Sequence, residues 1–159
     1  MNKNEISKAL TKGLLAGYRE KTMFDKTNRG SFEVTSSHFE DGEIIYHDEW
    51  TNGGGQEIVK FNDEMFTRVY AGGTVNEEEL SLIGVTHKDV ILNLISRIQE
   101  LGDKTRLFEN CLAENRNDWD YEYKILDNDQ NVEVATGKEV IKYKGQVVFV
   151  HIFVLAPIN

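Results

Sequence analysis

Apolar residues in the first segment recur at helical spacing. Ile6, Leu10 and Leu14 fall four apart with Ala9 beside them, which predicts a helix over residues 4–20. Gly13 and Gly17 lie near that stripe, and a closely packed partner is a reason to keep glycine in a helix it weakens. From Ser31 the period drops to two. Residues 31–38 and 43–50 predict strands joined through Asp41-Gly42, a pair that tolerates the positive φ of tight hairpins. A glycine-rich loop at 51–55 follows, then strands at 56–61 and 65–71, completing a four-strand meander. Residues 72–86 read as a loop carrying the acidic run Glu77-Glu78-Glu79. The strongest helix signal spans 87–101, where Val90, Ile91, Leu94, Ile95 and Ile98 form one wide apolar face that Leu101 extends. Thr86 is its expected N-cap, with Asp89 three residues on, and Gly102 its stop. The face predicts burial along Val90, Leu94, Ile95 and Ile98. Alternation then returns in strands at 106–113, 118–126, 131–143 and 146–155. The last is almost wholly apolar, which places it centrally in the sheet.

Two stretches match in register. Gly55-Gln56-Glu57-Ile58-Val59-Lys60-Phe61 reads like Gly137-Lys138-Glu139-Val140-Ile141-Lys142-Tyr143, an offset of 82 residues. In each half a tyrosine-bearing strand comes first, Tyr46 in one and Tyr121 and Tyr123 in the other. A fixed offset is the trace of a duplicated unit. The expected fold is therefore α+β: an antiparallel sheet of two meanders related by an internal repeat, packed with two principal helices.

Composition narrows the class. With 40% hydrophobic residues the 159-residue chain can bury a core, and its single proline, Pro157, marks no linker, so residues 1–159 read as one domain. A net charge of −9 disfavours nucleic acid and anionic membrane. Cys111 is alone, which excludes an intrachain disulfide and suits a reducing cytoplasm. The N-terminus lacks the apolar core of a signal peptide. The longest apolar stretch, 147–158, is interrupted by His151 and falls short of the roughly 20 residues that span a bilayer.

Candidate chemistry is sparse. No metal-ligand spacing, nucleophile elbow, P-loop or GxGxxG motif occurs, so no metal, cofactor or catalytic residue is expected. His47-Asp48-Glu49 is the densest cluster of possible ligands, but strand alternation sends His47 and Glu49 to one face and Asp48 to the other. Cys111 sits in an apolar alternation as a small hydrophobe. The loop Asn52-Gly53-Gly54-Gly55 exposes backbone N–H groups to an approaching anion, and Trp50 beside it can stack on a base. The scarce cations gather: Arg19, Lys21, Lys26 and Arg29 surround the join between the first helix and the first strand, and Arg106 and Arg116 lie near the second meander. An arginine fork grips phosphate at two points.

These residues carry a resemblance. Tyr46-His47-Asp48, the glycine step, Gly55-Gln56-Glu57-Ile58-Val59 and the closing Tyr70-Ala71-Gly72 resemble a bacterial and phage domain family of unknown function. That family occurs alone or behind a helix-turn-helix. Tyr121, Tyr123, Gly137-Lys138-Glu139 and Lys144-Gly145 resemble its second meander, so the likeness runs from about residue 10 to residue 155. The chain departs from the family at Arg106-Leu107-Phe108, where the pattern is Arg-Gly-Pro, and at Phe66, where it has tryptophan. In size, acidity and layout the chain also resembles the phage anti-Thoeris sponges, which sequester cyclic ADP-ribose signals. That resemblance implies a non-enzymatic homodimer binding a small anionic nucleotide-like ligand. The residues expected to hold it are Arg19, Arg29, Tyr46, Trp50, Asn52, Gly54 and Arg106. The competing expectations are a small hydrolase using Asp48 and His47, and a protein-interaction module.

Overall fold

Alternation on either side of the central helix builds one continuous sheet. The computed structural model describes residues 3–18, 24–104 and 108–158. Helix α1 (Lys3–Gly17) leads into β1 (Asp25–Arg29), β2 (Phe32–Asp41), β3 (Ile44–Thr51), β4 (Gly54–Phe61) and β5 (Glu64–Thr74). Helices α2 (Glu77–Leu82) and α3 (His87–Leu101) follow, then β6 (Cys111–Arg116), β7 (Trp119–Asp129), β8 (Val134–Tyr143) and β9 (Gln146–Ile158). The described strands form a nine-stranded sheet in the order β1-β2-β3-β4-β5-β9-β8-β7-β6, antiparallel at every step. The α+β class and the central place of the last strand are what the sequence predicts. No helix among the described residues is long and apolar enough to cross a membrane.

Helix α1 lies on β2, β3 and β4, and α3 packs beside α1 and reaches β7. Both cover the same sheet face, because Tyr46, Val59, Phe66, Tyr121, Ile141 and Phe153 share one phase of alternation and form the core with Ile6, Leu10, Val90 and Ile98. A Cβ at Gly13 would land on the Tyr46 ring, so this glycine lets the helix backbone settle onto the tyrosine. The capping box expected at α3 is present, with Thr86 and Asp89 exchanging side-chain and backbone bonds. Ile98 is fully buried. Truncating it to alanine should cost about 2–5 kcal/mol, read by urea denaturation; a loss under about half a kcal/mol would place the helix face in solvent.

Three elements differ from expectation. β1 lacks apolar alternation because it is an edge strand exposed throughout, held to β2 by a tight turn at Gly30. The loop at 72–86 contains α2, whose N-cap Asn76 accepts a bond from the Glu79 N–H, with three glutamates in the first turn favoured by the helix dipole. The sixth strand also runs later than its pattern suggests, up to the turn formed by Asn117 and Asp118 at positive φ.

The pairing registers of the halves correspond. Tyr46 stands opposite Val59 in one and Tyr121 opposite Ile141 in the other. Gly55 stands opposite Tyr70, and Gly137 opposite Phe153. A Cβ at Gly55 would meet the Glu49 carbonyl and the Tyr70 side chain; one at Gly137 would meet the Lys124 carbonyl and the Phe153 ring. Tyr70 and Phe153 are themselves opposite each other where β5 meets β9.

Candidate ligand-binding cleft

In β3 the alternation sends Asp48 and Trp50 to the helix-covered face and His47 and Glu49 to the open one, as the sequence implies. Where α1 ends, the described residues leave part of that covered face unfilled. A cleft of about 540 Å³ opens between Leu14 and Gly17 of α1, the β3–β4 turn, the end of β5, and Ile91, Leu94 and Ile95 of α3. Its size suits a small organic ligand. The aromatic walls come from Trp50 and Phe24, whose rings meet edge to face at 5.4 Å, and from Tyr70 and Phe149. His87, bonded to the Thr74 hydroxyl at 3.0 Å, and His151 complete it. A second depression of about 590 Å³ includes Lys3, Lys8 and Lys104, but only the cleft joins a buried carboxylate to aromatic walls.

That carboxylate is Asp48, 7% exposed. The Tyr70 hydroxyl donates to both its oxygens, at 3.2 and 3.4 Å. Burial, then the nearby Asp48 and Glu57 carboxylates, push the Tyr70 phenol far above its ordinary range. Tyr70 therefore remains a hydrogen-bond donor at physiological pH. The Tyr70 ring lies 5.0 Å from that of His151, whose Nδ1 is 3.7 Å from a Glu139 oxygen.

Behind this floor runs a buried polar chain. Arg68 reaches Glu57 at 2.9 Å and Glu139 at 3.3 Å. Tyr46 donates to Glu57 at 2.9 Å and Tyr121 to Glu139 at 2.6 Å. The guanidinium sits against the rings of Tyr70 and Phe153, 5.1 and 4.8 Å from their centroids. One arginine thus spans the β5–β9 seam and joins the tyrosine–glutamate pairs of both halves. The chain fixes the backs of Tyr70 and His151, and with them the shape of the cleft floor.

The structure sorts the residues expected to bind ligand. Trp50, Asn52 and Gly54 all line the cleft. Tyr46 does not: it is buried beneath α1 with its hydroxyl given to Glu57. Arg29 of β1 pairs with Glu49 of β3 at 3.1 Å, and Lys26 with Glu33 of β2 at 2.7 Å, so the described cations of the basic island face carboxylates of the same sheet. Arg19 and Arg106 lie outside the described residues. The glycine loop is a tight hairpin turn at Asn52-Gly53; Gly54 and Gly55 already belong to the strand, and the Gly53 carbonyl accepts the Gly72 N–H at 2.9 Å. His47 and Asp48, paired in the hydrolase expectation, point to opposite faces. Tyr70 and His151 are absent from the expected site. His151 was legible as the one polar break in the apolar run of β9, in phase with Phe149 and Phe153. Among the described residues no group of three or more histidine, cysteine or acidic side chains is placed to hold a metal.

Compared with protein-family models, with curated proteins and with solved structures, the chain matches none.

Proposed function

We propose that the protein binds a small nucleotide-derived molecule in this cleft and acts by holding it. The observation that carries the reading is the Asp48 carboxylate, buried at the floor and oriented by Tyr70, facing a cavity walled by Trp50 and Phe24. A flat heteroaromatic base stacks on the indole, and an N–H edge of that base donates to Asp48. Stacking of this kind contributes roughly 1–3 kcal/mol per base. The Asn52-Gly53 turn forms part of the rim, close to the ligand's remaining groups. Arg19 stays the candidate for a phosphate contact, on its sequence position alone. Sequestration follows from binding, since a protein in excess over its ligand lowers the free concentration without chemistry. A cyclic ADP-ribose-like signal is the ligand that the resemblance to phage sponges favours.

We also propose that the chain is a duplicated unit whose halves have diverged at this position. The corresponding registers and the matched surroundings of Gly55 and Gly137 support it. Asp48 stands opposite Glu57 in β4, and its counterpart opposite Glu139 is Tyr123. The Tyr123 ring is fully buried and stacks on Phe153 at 4.6 Å. A tyrosine in one half and an aspartate in the other accounts for a cleft on one side of the seam.

The test is to incubate purified protein with a bacterial nucleotide extract, wash it, release bound molecules by heat and identify them by mass spectrometry. Intact nucleotide from the wild type, reduced in Asp48→Asn, is the expected result. Recovery of a chemically altered nucleotide would instead assign Asp48 and His151, which share the cleft, to a hydrolase. Recovery of nothing would reject small nucleotides as ligands.

A further inference from the structure

Both helices that cover the sheet lie on one face, and the other face is apolar at its centre. On that open side β5 and β9 contribute Met65, Val69, Ile152, Val154 and Ile158, which are between 37% and 47% exposed. Val69 pairs with Val154, Ala71 with Ile152 and Met65 with Ile158, so these side chains lie side by side. No ionisable residue occupies the open-face positions of these two strands along their shared register. Charge returns on the flanking strands, at Lys60 of β4 and at Lys138 and Lys142 of β8. Contiguous exposed apolar surface of this kind marks an interaction site, whereas scattered exposed residues do not.

We propose that this face is the interface between two copies of the chain, stacked sheet on sheet. Three features select a second copy as the occupant. The surface lies at the middle of the sheet, far from the edges β1 and β6, where an added peptide strand would pair. Its pattern is apolar in both strand directions about the Tyr70–Phe153 pair, so rotation by half a turn sets apolar rows on apolar rows. The chain carries a net charge of −9, and an uncharged zone is where two such molecules can approach. The area is sufficient. β5 and β9 pair over ten positions. With β4 and β8 they present a rectangle about 33 Å by about 19 Å, roughly 600 Å² per copy and roughly 1,200 Å² in total, at the lower end for a specific interface. Two such sheets pack about 10 Å apart with strands nearly aligned, and Lys60 and Lys138 fall at the rim.

Sedimentation equilibrium of the full chain at about 50 μM, above the micromolar affinities at which interfaces of this size begin to hold, gives the test. The wild type should sediment at twice its 18.2 kDa mass. Ile152→Lys, with charge placed in the stripe, should sediment as a monomer with the wild-type far-ultraviolet spectrum. If that variant does not fold, Val154→Cys in a Cys111→Ser background should cross-link two copies under mild oxidation, and absence of the cross-linked species would overturn the proposal. A monomeric wild type would also overturn it. If that monomer floats with phosphatidylcholine vesicles, the face belongs to lipid instead. A dimer unaffected by Ile152→Lys would move the interface elsewhere. None of these outcomes depends on which ligand the cleft holds.

Discussion

Replacing Arg68 with methionine should destabilise the fold by about 3–5 kcal/mol, the cost of removing one partner from a buried ion pair. Arg68 is 1% exposed and faces two carboxylates, Glu57 and Glu139, that are as deeply buried. Methionine matches the stem but removes the positive charge both glutamates face, while Tyr46 and Tyr121 keep donating to them. The pH dependence has a definite sign. In the variant the buried carboxylates bind protons more tightly when folded than when unfolded, so their protonated forms favour the fold. The deficit should be largest at neutral pH and shrink as the pH falls toward the ordinary glutamate range, where the buried carboxylates take up protons. Combining Arg68→Met with Glu57→Gln and Glu139→Gln should recover part of the loss, because no charge then remains to be solvated. Arg68→Lys should recover less than the wild-type stability, since a single ammonium cannot match a fork that reaches two carboxylates. Urea denaturation across pH reads all three variants against the wild type. A loss below about 1 kcal/mol in Arg68→Met would show that the ion chain contributes little to stability.

Phe153→Ala is the second large expected effect, about 3–5 kcal/mol. The ring is 1% exposed at the centre of β9, stacked on Tyr123 and in contact with the Arg68 guanidinium. It also occupies the space that a side chain at Gly137 would need. Truncation leaves a cavity bounded by sheet backbone, which cannot collapse into it. For a chain of this length each kcal/mol lowers the melting temperature by roughly 2–4 °C, so the expected fall is about 6–20 °C. Tyr70, opposite Phe153, loses a neighbour as well. The cleft should weaken along with the fold, so ligand affinity in this variant is measured well below its melting point.

The parts of this fold that were legible in the sequence are those where one physical signal acted alone. Helix α3 carries both a capping box, which occurs as written, and a wide apolar face. That face is buried at Val90, Leu94 and Ile98, while Ile95 borders the cleft and is only half-buried. Gly13 announced a close approach, and Tyr46 makes it. β1 was not legible because an exposed edge strand has no buried side to impose alternation. The site was half legible. Alternation put Asp48 opposite His47, but choosing the covered face required noticing that Tyr46, Asp48 and Trp50 share a phase. Arg68 was missed because a charge in a strand reads as an outward position. Only its phase with Phe66 and Tyr70 gives it away. The arginines singled out by scarcity illustrate the reverse: Arg29 stands out in composition, yet its charge meets Glu49 two strands away in the sheet. Pairing between strands distant in sequence decides such cases, and composition does not encode it.

The most direct measurement of the central claim is titration calorimetry of a cyclic ADP-ribose isomer into the wild type, Trp50→Ala, Asp48→Asn and Arg29→Ala. Stacking on Trp50 and donation to Asp48 predict that each of those two variants loses roughly 5- to 150-fold in affinity, while Arg29→Ala, outside the cleft, binds like the wild type. Equal affinity across all four proteins, or loss confined to Arg29→Ala, would contradict binding in the cleft.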